Sequence, residues 1–171
     1  MKKILDIGCG NSKIPGAVGI DISATTQADV VHNLNSFPWP FENNTFDEII
    51  CNDVLEHLED VVASMEEIHR ITKESAIVKI RLPHFSCFNS YGDVTHKHMF
   101  NSQSLDFICG ENFTQNHYSN KRFKKICVKL TFGKLYRFVG IFANKWTEKY
   151  ERYFAFLFPA GNIEIILQVN K

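Results

Sequence analysis

The chain of 171 residues has the length of one globular domain. Hydrophobic residues make up 44% and charged residues 22%, which excludes an intrinsically disordered chain. The formal net charge is +0, so no overall field attracts nucleic acid or a membrane. The charge is unevenly spread, because residues 1–86 hold 7 basic and 13 acidic side chains whereas residues 87–171 hold 12 and 6. Such an asymmetry can mark a surface that faces a partner.

The five cysteines are an odd number, widely spaced and without a CxxC pair: Cys9, Cys51, Cys87, Cys109 and Cys127. This pattern indicates a reduced protein and not a disulfide scaffold or zinc knuckle. Asp6 ends the first apolar run too early for a signal peptide. Pro159 and Gly161 interrupt the apolar residues 153–169, which therefore cannot span a bilayer. We expect a soluble cytoplasmic protein with no membrane insertion.

Short apolar runs bounded by glycine, proline or polar residues predict five strands in the first half of the chain: residues 3–7, 17–21, 28–34, 46–51 and 75–82. Alternate prolines make residues 36–41 a loop. Val61, Met65, Ile68 and Ile71 recur at three- and four-residue spacing and predict a helix that Asp60 can cap. His69, Arg70 and Lys73 lie in its last predicted turns. Strands that alternate with connectors favour parallel βαβ units.

The second half has weaker periodicity and is rich in histidine, asparagine, serine and phenylalanine up to residue 122. Its pattern predicts a helix at 102–110, a basic strand at 122–132, a helix at 134–153 and a last strand at 163–169.

A glycine loop, Asp6-Ile7-Gly8-Cys9-Gly10, ends the first predicted strand, and Asp21 ends the second. Glycines let the chain turn sharply and let a ligand approach, and a carboxylate after the second strand is placed to bind ribose hydroxyls. Lys13 occupies the third glycine position of GxGxxG, and Pro15 leaves little room for a helix that would bind a diphosphate. The pattern favours a nucleoside ligand without phosphates.

Four segments in order resemble class I S-adenosylmethionine-dependent methyltransferases, and more narrowly the small type 11 methyltransferase-domain branch: Ile4–Gly10, Gly19–Ile22, Phe46–Ile50 and Val54–Leu58. The resemblance covers about residues 3–83. It implies an α/β fold, a Rossmann-like domain with a mostly parallel seven-stranded sheet and one antiparallel strand. Pro83–Ser86 followed by Gly92–His96 is similar to a subgroup met among surface-glycan biosynthesis proteins.

The resemblance divides a single domain, residues 1–171, into a cofactor-binding half (3–83), a lid and acceptor segment (84–122), and C-terminal strands and helix (123–171). It implies S-adenosylmethionine as cofactor and the following binding residues: Asp6, Gly8, Cys9, Gly10, Asp21, Ile22, Asn33, Leu34, Asn52, Asp53 and His57. Asp21 would bind both ribose hydroxyls, and Asp6 would lie near the methionine amino group. Asn33 stands where an acidic residue usually meets the adenine amino group, and its amide oxygen can still accept that hydrogen bond. Glu56 and His57 either lie close to the cofactor or cap the following helix.

Methyl transfer needs a base only when the acceptor is a hydroxyl or a protonated amine. The candidates follow the fifth strand: His96, His84 and Asp93, with Asp93 placed to orient and charge the imidazole of His96. The alternative is that these side chains hold a polar lid together by hydrogen bonds. Together with His98, these three residues could offer four metal ligands. Their spacing matches no zinc signature, so we expect no metal site.

Two absent motifs narrow the acceptor. No [DN]PP[YF] motif follows the fourth strand, which argues against methylation of amino groups such as that of adenine. No proline precedes a cysteine, which argues against methylation of cytosine at C5. The basic stretch from Lys121 to Arg137 indicates edge-strand protection, or else an anionic acceptor such as RNA. We expect methyl transfer to oxygen of a small molecule or glycan intermediate. The alternatives are a non-catalytic cofactor-binding module and an RNA methyltransferase, and the oligomeric state stays open.

Overall fold

The computed structural model describes residues 2–110, 118–120 and 122–171. Seven strands form one sheet in the order β3-β2-β1-β4-β5-β7-β6. The strands are β1 (Ile4–Ile7), β2 (Val18–Asp21), β3 (Val30–Val31), β4 (Phe46–Asn52), β5 (Thr72–Pro83), β6 (Arg122–Thr131) and β7 (Asn162–Asn170). The helices are α1 (Val61–Ile71), α2 (Phe88–Gly92), α3 (Asp106–Cys109), α4 (Val139–Lys145) and α5 (Thr147–Tyr153). Two 3-10 turns cover Leu55–His57 and Lys134–Tyr136.

The predicted Rossmann-like sheet is confirmed, including its single reversed strand. β1 pairs in parallel with β2 and β4, and β4 with β5, whereas β7 is antiparallel to both β5 and β6. The strand order reverses between β1 and β4, because β2 and β3 lie on one side of β1 and β4 on the other. Ligands of open α/β sheets bind outside the carboxyl ends of the strands at such a switch point.

The central strands are almost continuous apolar runs because both faces of the sheet are covered. Leu5, Ile49 and Val78 on β1, β4 and β5 are fully buried, as are Met65 and Ile68 on α1. Burial of each such side chain contributes about 1.5–3 kcal/mol to folding. This core holds the carboxyl ends of β1, β2 and β4 at one rigid edge.

The predicted proline loop is confirmed and is held by α1. Arg70 donates to the carbonyl oxygens of Phe41 (2.8 Å) and Trp39 (3.0 Å), while Glu67 accepts from the Trp39 amide (2.8 Å). Arg70 and Glu67 also form an ion pair at 2.7 Å. These bonds replace the secondary structure that the alternate prolines prevent.

Four predicted elements differ in length or continuity. The third strand covers only Val30–Val31, because the chain turns at Asn33, whose carbonyl accepts from the Ser36 amide (2.8 Å). α3 spans only Asp106–Cys109 and ends at Gly110, which has a φ of +72°. The predicted helix at 134–153 is interrupted where Trp146 leaves helical geometry (φ −132°, ψ 56°). β5 begins at Thr72, three residues before its predicted start, directly after α1.

Residues 2–60 form no α-helix, so the crossovers between β1, β2 and β3 are loops, as the residues around Pro15 predict. In the described parts of the chain, every helix is too short or too polar to cross a bilayer.

Asp60 caps α1 as predicted, since its Oδ1 accepts from the Ala63 amide at 2.8 Å. We expect Asp60→Ala to lower the free energy of unfolding by about 0.5–2 kcal/mol, because one helix N–H loses its acceptor. Asp60→Asn keeps an acceptor and is the matched control. Urea denaturation of the three proteins measures the effect, and equal stability of Asp60→Ala and the parent would contradict it.

Candidate active site

Two carboxylates hold the glycine loop after β1. Asp6 is buried, and its Oδ2 accepts from the Ile14 amide at 2.8 Å; burial raises the pKa of this carboxyl, and that hydrogen bond opposes the rise. Asp21 Oδ2 accepts from the Gly10 amide at 2.9 Å. Gly8 and Gly10 adopt left-handed φ values of +63° and +51°, which glycine allows without steric strain.

A crevice of about 330 Å³ lies beside this loop, at the carboxyl ends of β1, β2 and β4. Its lining is Gly8, Asp21, Ile22, Asn33, Leu34, Asn35, Asp53, Val54, His57 and Leu58. Two carboxylates and no lysine or arginine occur among these lining residues. A diphosphate would be repelled there, whereas a nucleoside that carries a positive sulfonium would be attracted. Ile22, 67% exposed, adds apolar surface against which a base can pack.

The predicted cofactor residues fall into two groups. The crevice brings together Gly8, Asp21, Ile22, Asn33, Leu34, Asp53 and His57. The remaining four do not line it: Asp6, Cys9, Gly10 and Asn52. The Cys9 sulfur packs against β2, 2.7 Å from where a Cβ on Gly19 would lie, and burial raises the pKa of its thiol. The contacts of Asp6 and Gly10 described above instead shape the loop.

A second cavity of about 640 Å³ adjoins the crevice and shares Asp53 and His57 with it. Its lining comprises Asp53, Glu56, His57, Pro83, Phe88, Asn89, Gly92, Asp93, Val94, His96 and Asn162. We call this space the acceptor cavity. Much of it is formed by the predicted lid segment, of which residues 111–117 and Lys121 lie outside the described residues.

Asp53 stands at the border of the two cavities in a strained backbone conformation. Its φ is +56°, which is uncommon for any residue with a side chain and is concentrated at functional sites. The Asp53 amide donates to the Arg81 carbonyl at 2.8 Å, and its carboxylate pairs with the Arg81 guanidinium. These contacts to β5 hold the turn after β4 in place.

His57 heads a chain of hydrogen bonds along one wall of the acceptor cavity. The Thr95 hydroxyl donates to Asp93 Oδ1 at 2.6 Å, so it accepts from His57 Nδ1 at 2.9 Å. A neutral His57 ring therefore carries its proton on Nδ1 and its lone pair on Nε2. The hydrogen bonds from Thr95 lower the pKa of Asp93.

His96 lies against His57, with 4.7 Å between the ring centroids. Its Nδ1 lies 3.2 Å from the Ser90 carbonyl oxygen, which can only accept, so the ring proton is on Nδ1 here too. Nε2 of His96 is 3.9 Å from Asp93 Oδ2. The structure thus brings the predicted pair of His96 and Asp93 together at the acceptor cavity.

Glu56 is the site residue that sequence reasoning set aside. Its side chain lines the acceptor cavity although the residue is only 1% exposed, and its carboxylate oxygens make no hydrogen bond to the described residues. Burial raises its pKa to about 7. Asp60, not Glu56 or His57, caps α1. An acidic residue inside the apolar run Val54–Leu58 is the signal that points to Glu56.

His84 lies away from both cavities. It is 0% exposed, with Nδ1 2.8 Å from Ser86 Oγ and Nε2 3.2 Å from Glu151 Oε1. Both ring nitrogens are therefore engaged in polar contacts, one with the nearby Ser86 and one with Glu151 on α5. His98 Nε2 likewise contacts the Leu58 carbonyl at 2.9 Å, so the metal set considered from sequence is not assembled.

Four residues of the basic stretch lie on β6, which is an edge strand: Arg122, Lys124, Lys125 and Lys129. Lys134 and Arg137 follow that strand, and Lys121 lies outside the described residues. Lys125 pairs with Asp106, and Lys129 lies 3.9 Å from Glu164 on β7. These acid partners favour protection of the edge over a surface for RNA.

Comparison with known proteins agrees with this geometry. A family model described as a methyltransferase domain matches residues 5–80, from β1 into β5. Residues 5–80 thus match a methyltransferase domain, and the whole sheet has the fold of class I S-adenosylmethionine-dependent methyltransferases. The cofactor of this methyltransferase domain is S-adenosylmethionine.

Solved structures share the methyltransferase fold at low sequence identity. A methyltransferase from Archaeoglobus fulgidus aligns with a TM-score of 0.68 and 19% identity, over 98% of this chain and 86% of that one. A methyltransferase from Mesorhizobium loti aligns with a TM-score of 0.60 and 12% identity, over 98% of this chain and 90% of that one. The [4+2]-cyclase SpnF aligns with a TM-score of 0.60 and 14% identity, over 99% of this chain and 75% of that one. Because a cyclase shares the fold, the fold alone does not define the reaction. No curated protein sequence matches the chain.

The glycine loop supplies a matched pair of variants. A Cβ on Gly8 would lie 2.3 Å from Val54 Cγ2, whereas a Cβ on Gly10 would meet nothing within 4 Å. In both variants the new alanine must adopt a left-handed φ, which costs roughly 1–2 kcal/mol of folding free energy. We expect Gly8→Ala to lose more stability in urea denaturation and to bind S-adenosylhomocysteine more weakly than Gly10→Ala. Equal losses in the two variants would contradict the tight contact with Val54.

Proposed function

We propose that this methyltransferase transfers a methyl group to a hydroxyl oxygen of a small molecule or glycan intermediate held in the acceptor cavity. The observation that carries the proposal is the common border of the crevice and the cavity at Asp53 and His57. A cofactor in the crevice and an acceptor in the cavity would meet at this border. Orientation of two reactants can contribute about 7–11 kcal/mol toward lowering a barrier.

The crevice has groups that suit each part of the cofactor. Asp21 would accept hydrogen bonds from the ribose hydroxyls while retaining those from Gly10 and Ser23, since each carboxylate oxygen can accept more than one. Ile22 and Leu34 would pack against the adenine. Asn33 Oδ1 already accepts from the Asn35 amide (3.0 Å) and has a second lone pair for the adenine amino group. When bound, S-adenosylmethionine supplies an activated methyl group on a sulfonium.

The acceptor cavity suits a polar molecule of sugar size. Its volume lies in the ordinary range of small-molecule sites, about 300–1,000 Å³. Asn89 and Asn162 can exchange hydrogen bonds with hydroxyls, while Phe88 offers an apolar face. This combination supports a hydroxylated acceptor.

His96 is the proposed proton acceptor. Its Nδ1 proton is directed to Ser90, which leaves the Nε2 lone pair to take a proton from the acceptor hydroxyl. Asp93 Oδ2, 3.9 Å from Nε2, stabilises the imidazolium that forms. Asp93 is thus a positioning residue for His96.

We expect Asp21→Ala to weaken binding of S-adenosylhomocysteine by about tenfold or more, because the ribose loses a charged acceptor. Isothermal titration calorimetry measures this dissociation constant. Asp47→Asn, a carboxylate change at the opposite end of β4, is the control and should bind like the parent. An unchanged dissociation constant in Asp21→Ala would reject the proposed position of the nucleoside.

We expect His96→Ala to reduce turnover by roughly 10²–10⁴-fold while leaving the affinity for S-adenosylhomocysteine unchanged. The assay follows S-adenosylhomocysteine release with pools of hydroxylated acceptors. His98→Ala, whose ring contacts the Leu58 carbonyl outside both cavities, is the control. Equal turnover of His96→Ala and the parent would remove His96 from the mechanism. Cofactor binding without turnover on any pool would favour a non-catalytic module.

A further inference from the structure

Three side chains with metal-ligating atoms gather in the acceptor cavity: Glu56, His57 and His96. Each offers one ligand atom, and these atoms lie within 4.8 Å of one another. The cluster differs from the set that spacing alone suggested, because Glu56 and His57 come from the turn after β4 and His96 from the lid.

The Glu56 carboxylate has no other evident purpose at this place. Its residue is 1% exposed, it lines the cavity, and neither oxygen has a hydrogen-bond partner among the described residues. A buried ionised carboxylate is strongly unfavourable unless it is paired with a cation or coordinates a metal. His57 and His96 stand close to it without forming a hydrogen bond to it.

Both histidines are oriented as metal ligands are. The Nδ1 of His57 donates to Thr95, which is itself fixed by Asp93, and the Nδ1 of His96 donates to the Ser90 carbonyl. Metal-ligating histidines characteristically use one nitrogen for such an outer partner, which fixes the tautomer and frees the other nitrogen. Here Nε2 of both rings keeps its lone pair.

We propose that Glu56, His57 and His96 bind one divalent transition-metal ion of the zinc type. Two imidazoles and one carboxylate are a donor set of catalytic zinc sites, which keep a further position open for water or substrate. Tetrahedral zinc–ligand bonds of roughly 2.0–2.2 Å place ligand atoms about 3.3–3.6 Å apart. The three ligand atoms, which lie within 4.8 Å of one another, would therefore close by about 1 Å around the ion.

The ion would lie in the acceptor cavity, where its open position faces the bound molecule. A zinc-type ion lowers the pKa of a coordinated hydroxyl, so the acceptor would release its proton to solvent water without a side-chain base. His96 would then be a ligand and not the proton acceptor. This consequence rests on the proposed function, whereas binding of the ion does not require methyl transfer.

Metal binding can be measured on the full chain without an acceptor. Protein freed of metal by a chelator is titrated with Co²⁺, whose visible absorption reports coordination, and with Zn²⁺ by calorimetry. We expect one ion per chain and a rise of the thermal midpoint on adding Zn²⁺. Glu56→Gln and His96→Ala should each weaken binding at least about tenfold. His32→Ala, whose ring contacts the Ser36 carbonyl oxygen and lines neither cavity, should bind like the parent.

Thr95→Val tests the outer partner separately, and we expect affinity for the ion to fall by roughly 10–100-fold. Calorimetry with S-adenosylhomocysteine verifies that each variant is folded, since the cofactor crevice is unchanged in Glu56→Gln and His96→Ala. The proposal is overturned if the parent binds no Co²⁺ or Zn²⁺, or if both ligand variants bind them as the parent does. Should turnover persist in chelator while the ion binds, the ion's role in methyl transfer would be overturned and the base role of His96 retained.

Discussion

The hydrogen bonds that Asp21 accepts from Gly10 and Ser23 are the constraint on which the candidate site depends. They tie the loop after β1 to the loop after β2, so two chain segments leave the sheet edge at a fixed separation. Asp6 adds a second anchor through the Ile14 amide. Because no helix follows β1, the loop offers no helix N-terminus to a diphosphate, and the carboxylates that hold the loop leave a crevice suited to a nucleoside without phosphates.

The second organising feature is the packing of residues 93–98 against the turn after β4. The Glu56 carbonyl accepts from the Lys97 amide at 2.7 Å, and Thr95 joins His57 to Asp93. These contacts set the catalytic candidates of the lid beside the border of the cofactor crevice. They also enclose the Glu56 carboxylate, whose burial would be unfavourable without a ligand. The methyl-transfer and metal-site proposals both arise from this one contact between distant segments.

The features that sequence could predict are local ones. The glycine loop, the acid at the end of β2 and the Asp60 cap each depend on a few adjacent residues, and the structure places all three as expected. His84 and His96 cannot be distinguished as candidate bases from the sequence. Tertiary packing buries His84 against Glu151 and places His96 at the acceptor cavity. The sequence placed Glu56 either close to the cofactor or as a helix cap. Its position beside His96 could not be predicted, because His96 lies 40 residues further along the chain.

The single antiparallel strand was expected from family resemblance and not from pattern, because pairing between distant strands leaves little trace in local periodicity. The central claim is the position of the cofactor, and a crystal structure of the protein with S-adenosylhomocysteine tests it most directly. The account predicts the ribose hydroxyls on Asp21, the adenine between Ile22 and Leu34, and the sulfur facing the border at Asp53 and His57. A nucleoside bound elsewhere, or crystals that take up none at saturating concentration, would contradict it.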